Sequence, residues 1–368
     1  MPESVLIYGS PELEFDLFHA VPAGITDPFL YLEHGDRRVA VISVLDADKV
    51  RAAGVEAIDP IALGRDELFA KGLGIEEIEL ETCLRACREV GVEAAAVPFG
   101  FPLAVADHLR AGGVGLRVDQ ERFVARRRVK TPAQLEGIRR AQQAADAAMA
   151  VAAGLIHALA PGTTSEGVRE AMKARAAELG AELADDVIVA HGAQGAIGHD
   201  SGSGPIGAGE PVIVDIWPRD SASRCWSDMT RTFVAGGGEP PAELATYWRL
   251  SRESLDAVYA LLRPGVNGRE LFEASSKPFA DAGYPTQLTK APGEVLEDGY
   301  FHSLGHGVGL ELHERPLMGR LGDDLLEGEV VAIEPGCYRR GFGGCRLEDL
   351  VLITAAGCET LTDFPYDL

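Results

Sequence analysis

His302-Ser-Leu-Gly-His306-Gly-Val-Gly-Leu-Glu-Leu-His313-Glu-Arg-Pro316 gathers three imidazoles into one glycine-rich run. With glycine on both sides of His306, backbone and a bound ion can approach it closely. On either side of this run, four acids stand in short apolar segments. Asp215 is the single acid of Pro211-Val-Ile-Val-Asp215-Ile-Trp217, a strand pattern. In Ser227-Asp228-Met-Thr-Arg-Thr-Phe-Val234 polar and apolar residues alternate, so Asp228, Thr230 and Thr232 share one face. The intervening stretch, Pro218 to Trp226, reads as a hairpin loop that lays Asp215 and Asp228 side by side. Glu334 ends Glu329-Val-Val-Ala-Ile-Glu334-Pro-Gly336, and Glu348 lies in Arg346-Leu-Glu348-Asp349-Leu-Val-Leu352. Arg346 and Glu348 are two apart on one strand face, so Arg346 is placed to hydrogen-bond within the same site. Any one of these acids alone is an ordinary strand polar group. Four carboxylates and an imidazole converging on one spot are ruinous unless cations sit between them. Two divalent metals answer that need and supply a chemistry.

The bulk properties narrow the function. The 368 residues suit two domains, and 46% apolar content is ample for real cores. Lys and Arg total 34 against 57 Asp and Glu, a formal net charge of −23. Such a chain repels nucleic acid and anionic membrane, so neither is expected as a partner. No segment has the roughly 20 uninterrupted apolar residues of a membrane span. Met1-Pro2-Glu3-Ser4 carries an early acid and no basic region, unlike a secretory leader. The six cysteines form no CxxC pair, and Cys83 and Cys87 read as buried groups on one helix face. The expected compartment is a reducing cytoplasm.

Residues 1–127 read as an α/β domain. Phe29–Glu33 and Arg38–Val44 are expected strands around a His34-Gly35-Asp36 turn. Glu77–Val90 is an expected helix, Ala94–Val97 a strand and Val105–Ala111 a helix. Arg126-Arg-Arg-Val-Lys130 then marks the junction, and in a chain this acidic it is expected to contact acidic neighbours. Residues 128–368 form the second expected domain. Thr131 and Pro132 suit the start of a helix running to about Leu159. Further helices are expected at about 165–179, 241–262 and 268–282, with strands and glycine-rich loops between them.

These motifs resemble the metal-dependent aminopeptidase P/prolidase family, with its pita-bread fold. The matching stretches are Val-Asp215-Ile, Ser-Asp228-Met-Thr-Arg-Thr, the run from His302 to Pro316, Ile-Glu334-Pro-Gly and Arg346-Leu-Glu348-Asp, in the family's order. Lys130-Thr-Pro-Ala-Gln-Leu-Glu-Gly-Ile-Arg139 is similar to the family's entry helix. The resemblance implies an α+β fold: a curved antiparallel sheet covered by helices, carrying a smaller N-terminal α/β domain. It implies that Asp215 binds the second metal, that Asp228 and Glu348 bridge both, and that His306 and Glu334 bind the first. His199 falls where the family has a histidine near the leaving proline, and His302 and His313 match its accessory histidines. Two departures stand out. Twelve residues separate the two aspartates where the family usually has ten, an insertion that preserves strand parity. Trp217 stands where a glycine is usual.

The function so implied is metallo-exopeptidase cleavage of the Xaa-Pro bond of dipeptides. Two divalent ions about 3.5–4 Å apart hold a hydroxide that is nucleophilic at neutral pH. Glu334 carries the proton to the leaving nitrogen. The second metal, with Asp215, holds the free α-amino group, and His302 and His313 stabilise developing negative charge. Mixed oxygen ligands with one imidazole favour Mn²⁺, with Co²⁺ and Zn²⁺ also suited. Substrates are then small peptides with proline second, and the family points to a homodimer. Three alternatives stay open. One is an Xaa-Pro aminopeptidase acting on longer peptides, and another is a creatinase-like or lyase reaction on the same fold. The third is a peptide-binding module without catalysis.

Overall fold

The computed structural model describes residues 4–368; Met1-Pro2-Glu3, on which the reading of the N-terminus rests, lies outside them. The chain divides into two compact units, Met1–Arg127 and Arg128–Leu368.

The first unit is built on a six-stranded mixed sheet. Its strands lie in the order Glu56–Ile58, Arg37–Val41, Phe29–His34, Ser4–Gly9, Ala94–Val97, Gly115–Val118. Alternation along the strands sends Leu6, Leu30, Leu32 and Val39 into one apolar cluster and Val5, Ile7, Tyr31 and Ala40 into another. Both faces are therefore covered, as period-two patterning with two apolar sets requires. The hairpin between the second and third strands turns at Gly35, whose φ of 59° is easy only for glycine. Strand Arg37–Val41 ends short of the expected Val44, and Val44 and Leu45 are exposed. The helix expected from Glu77 begins at Ile75 and stops at Gly91 in the left-handed conformation. It buries Cys83 and Cys87 together, and burial pushes the Cys87 thiol up to about 12.

The second unit is α+β with antiparallel sheets. A three-stranded sheet runs Met229–Val234, Pro211–Ile216, Ile188–His191. A five-stranded sheet runs Glu314–Met318, Gly305–Gly307, Val330–Ile333, Asp349–Thr354, Gly357–Thr360, and Gly336–Arg339 pairs with Gly343–Arg346. Each large sheet is covered by a helix pair. Pro132–Ala158 and Ser165–Glu178 share a core with the three-stranded sheet. Ala242–Tyr259 and Gly268–Asp281 share another with the five-stranded one. The first of these helices starts where capping chemistry places it: the Thr131 hydroxyl accepts from the Gln134 N–H and Pro132 takes the first turn.

The basic junction finds acidic partners throughout. Arg126 pairs with Glu33, Arg127 with Asp16, Arg128 with Glu329 and Lys130 with Glu314. The expected loop from Pro218 to Trp226 is more ordered than a plain hairpin tip. Arg219–Asp220 forms a short strand against Ala181–Glu182, and Asp220 accepts from Arg140 and Ser223. The longer connection between the two aspartates is thus tied to helix Pro132–Ala158 through Arg140 and to the strand Ala181–Glu182 that follows the second helix.

Candidate metal centre

Sheet edges deliver the polar residues to one place. Asp215 lies opposite Thr230 in the antiparallel register, and Asp228, two residues before Thr230, falls on the same face. His306 is the middle of a three-residue strand opposite Ala332. A β-carbon at Gly305 would stand 1.9 Å from the Ala332 carbonyl oxygen, and one at Gly307 2.2 Å from that of Arg315. The flanking glycines are thus demanded by neighbouring backbone, the close approach of chain expected on either side of His306. Glu334 follows Val330–Ile333, its N–H held by the Leu304 carbonyl at 2.9 Å. Glu348 sits in the bend between Gly343–Arg346 and Asp349–Thr354, not on one continuous strand with Arg346. Its N–H donates to the Thr230 carbonyl at 3.0 Å.

Donor atoms of Asp215, Asp228 and Glu348 lie within 4.8 Å of one another, as do those of His306, Glu334 and Glu348 and those of Asp228, His306 and His313. Asp228, His306 and Glu348 each recur in two of these sets. The electrostatic cost shows in the acids themselves. Burial, then the Glu348 charge, pushes the Asp228 carboxyl well above the usual carboxylate range. Burial, then Asp215, does the same to Glu348. Burial raises Glu334 to about 8.

The donor set fits divalent ions on three counts. Asp215 Oδ1 is buried without a hydrogen-bond partner, while its Oδ2 accepts from Arg346 Nη2 at 2.5 Å. A buried carboxylate oxygen left over in this way calls for a cation. Burial, then His313, lowers His306 to about 4, which keeps the ring neutral and able to ligate. Its Nδ1 lies 3.1 Å from the Gly307 carbonyl, so that nitrogen carries the proton. The lone pair on Nε2 then faces Asp228 Oδ2 at 3.7 Å and Glu334 Oε1 at 3.9 Å.

The set lines a cavity of about 700 Å³ together with Asp186, Ile188, His199, Trp217, Phe301 and His302, among others. That volume is in the range of small-molecule sites. His199 and His313 are exposed at it, and the His313 ring meets His306 edge-on at 4.2 Å between centroids. His302 is more deeply committed. Its Nδ1 lies 2.8 Å from the Ser303 carbonyl and its Nε2 2.9 Å from the Tyr338 hydroxyl. Burial, then the Arg346 charge, lowers it to about 3. Tyr338 escaped sequence reasoning. Its hydroxyl accepts from Arg346 Nη1 at 2.9 Å and so links that guanidinium to His302. Thr230 was placed on the right face, and its hydroxyl donates to Glu348 Oε2 at 2.6 Å. His34, His108 and His191 pair with Ser4, Glu81 and Glu210 away from the cavity.

Antiparallel sheets covered by helices, around a buried carboxylate–imidazole cluster, make a pita-bread fold. The chain belongs to metallopeptidase family M24, whose model matches residues 136–355. That membership brings divalent metal ions with it. An Xaa-Pro dipeptidase of Pyrococcus furiosus is 34% identical over 242 residues, 64% of this chain and 63% of that protein. The matched stretch thus spans less than two thirds of that relative's length. An Xaa-Pro dipeptidase of Pyrococcus horikoshii is 31% identical over 289 residues, 77% of this chain and 76% of that protein. Among solved structures, an Xaa-Pro dipeptidase from Bacillus anthracis superposes with a TM-score of 0.82 at 23% identity, covering 100% of this chain and 94% of that one. The described residues contain no helix long and apolar enough to cross a membrane.

Proposed function

We propose that this chain hydrolyses the Xaa-Pro bond of dipeptides with the help of two divalent ions held by Asp215, Asp228, His306, Glu334 and Glu348. The observation that carries the reading is the donor cluster, with its unpartnered Asp215 oxygen, at the wall of a cavity of about 700 Å³. The names of the two Pyrococcus relatives support the choice of substrate. When bound, the ion pair supplies Lewis acidity and a water acidic enough to act as a nucleophile near neutral pH. Of the three residues that recur in two donor sets, Asp228 and Glu348 are the carboxylates, with two oxygens each, and so are the ones suited to bridge.

The remaining steps fall to side chains. Glu334 takes a proton from the attacking water and delivers it to the departing prolyl nitrogen. Arg346 offsets the Asp215 charge and fixes its second oxygen away from the donor set. His302, engaged at both ring nitrogens, positions Tyr338 and through it Arg346. His313 and His199, exposed to the cavity, are available to substrate oxygens. A prolyl bond has no N–H, so a site that acts on the carbonyl gives up no donor contact by accepting it. The oxygen-rich set favours Mn²⁺. Six free cysteines accord with a cytoplasmic enzyme. Homodimerisation is the assembly we infer, and sedimentation equilibrium would test it.

The deciding experiment is product analysis on Ala-Pro and Ala-Pro-Ala with metal content measured in parallel. Ala-Pro cleavage that is lost on chelation and in Glu334→Ala supports the proposal. Cleavage of the tripeptide alone would indicate an aminopeptidase. Peptide binding without turnover in the metal-loaded chain would indicate a binding module.

A further inference from the structure

We propose that the cavity holds a side-chain subsite that selects lysine or arginine before the scissile bond, with Asp186 as the charge that recognises it. The inference rests on the dipeptidase reading and extends it to the substrate's first residue.

Five carboxylates line the cavity, and Asp186 is the one outside the clustered donor sets. Among the described residues, the only guanidinium or ammonium lining the cavity is that of Arg346, and it is committed to Asp215, Thr230 and Tyr338. The adjacent Asp185 is taken by Lys173. Asp186 is exposed to the cavity, and two ions neutralising the other four acids would leave it as the uncompensated negative group there.

Its surroundings give the subsite a shape. Ile188 lies directly opposite Asp215 in the antiparallel register, so the two side chains stand together on one face. Trp217 is two residues beyond Asp215, and Asp186 is two residues before Ile188 in the turn that leads into its strand. Counted outward by the same register, Trp217 and Asp186 come level with each other one step beyond the Asp215–Ile188 pair, and all four line the cavity. In an α-amino acid the side chain leaves the same carbon as the amino group. An amino group held at the Asp215 end directs the side chain along Ile188 and Trp217. A long aliphatic stem covers that apolar wall while its cationic head reaches Asp186, and the indole face adds affinity for a cation. A glutamyl side chain in the same place would meet a like charge.

The test compares lysyl-proline with norleucyl-proline, which has the stem without the ammonium. For the metal-loaded wild-type chain, kcat/KM is expected to favour lysyl-proline about fivefold at low salt, the scale of a partly exposed ion pair. The preference should shrink in about 0.5 M salt, because screening acts on the charge and not on the stem. Asp186→Asn should bring the ratio near one, and Asp186→Lys should turn the preference toward glutamyl-proline. A wild-type ratio near one overturns the proposal, as does an equal loss for both substrates in Asp186→Asn. If Ala-Pro is cleaved without a basic preference, the subsite alone fails. If no Xaa-Pro dipeptide is cleaved, the dipeptidase reading fails and the subsite with it.

Discussion

Arg231→Met tests whether the site is held from behind by a buried ion pair. Arg231 is 1% exposed, and its guanidinium makes five hydrogen bonds. One goes to Asp349 Oδ1 at 2.9 Å, and the others go to the carbonyls of Thr230, Glu348, Phe364 and Pro365. Asp349 is fully buried, and its other oxygen accepts from the Tyr259 and Tyr366 hydroxyls. Methionine fills much of the stem's volume but strands that carboxylate, and breaking a buried pair in this way costs about 3–5 kcal/mol. For a unit of this size, each kcal/mol lowers Tm by roughly 2–4 °C, so thermal unfolding should shift down by about 10 °C. The companion Arg231→Met/Asp349→Leu removes both charges and should recover part of the loss, a positive coupling that a double-mutant cycle reads directly. Arg231 also holds the carbonyls of Glu348 and Thr230, and Thr230 in turn holds the Glu348 carboxylate. Metal affinity should therefore fall about 10- to 100-fold, as for other residues that orient a ligand. A single variant that melts within about 2 °C of wild type, or a double variant less stable than the single, would refute this reasoning.

Tyr338→Phe should keep the fold and lower kcat/KM about 10- to 100-fold, because it cuts the link between Arg346 and His302; unchanged kinetics would remove Tyr338 from the site. Loading metal into the chelated chain at pH 7 should release protons, since Glu334 near 8 and the raised Asp228 and Glu348 hold them until an ion displaces them. Calorimetry in two buffers of different ionisation enthalpy measures this, and zero release would contradict it. Asp146, pushed up to about 6 by burial, binds its proton more tightly in the folded than in the unfolded chain. Its contribution to stability is full below about pH 4 and is lost as pH rises through about 6. Asp146→Asn should therefore raise Tm relative to wild type at pH 8 and lose that advantage at pH 4, and a pH-independent difference would rule the account out.

The elements that were legible in the sequence are those whose pattern is long or punctuated. Helix Pro132–Ala158 has its cap, its N-terminal proline and many turns of small apolar residues on one face. Helices Phe15–Ala20, Ala47–Ala52 and Arg65–Ala70 span six residues each, too few for a 3.6-residue period to declare itself, and they went unread. Strand order was also out of reach. Nothing local tells Ser4–Gly9 to lie between Phe29–His34 and Ala94–Val97, a choice made by which apolar faces close over it. Met229–Val234 shows where alternation misleads. Its alternation puts Thr230 and Thr232 on the face of Asp228, but it gives no place for Arg231, which is buried on the other face against Asp349, as all six residues are buried.

The site divides along the same physical line. Each acid alone reads as an ordinary strand polar group, but Asp215, Asp228, Glu334 and Glu348 together, in the order of a known family, stand out, and the structure brings them within reach of His306. Tyr338 sits two residues past Gly336 in a strand, where an aromatic ring reads as packing; only the hydroxyl's two partners reveal its use. Asp186 lies in a turn, where an acid is the expected residue, and becomes informative only once the cavity it borders is known. Ligands are legible because their burial contradicts their chemistry. Residues that orient a ligand or choose a substrate are chemically at home where they stand, so their roles follow from contacts between distant segments. Arg346 joins both kinds. Its charge two residues before Glu348 was readable, but its distribution among Asp215, Thr230 and Tyr338 depends on three strands meeting.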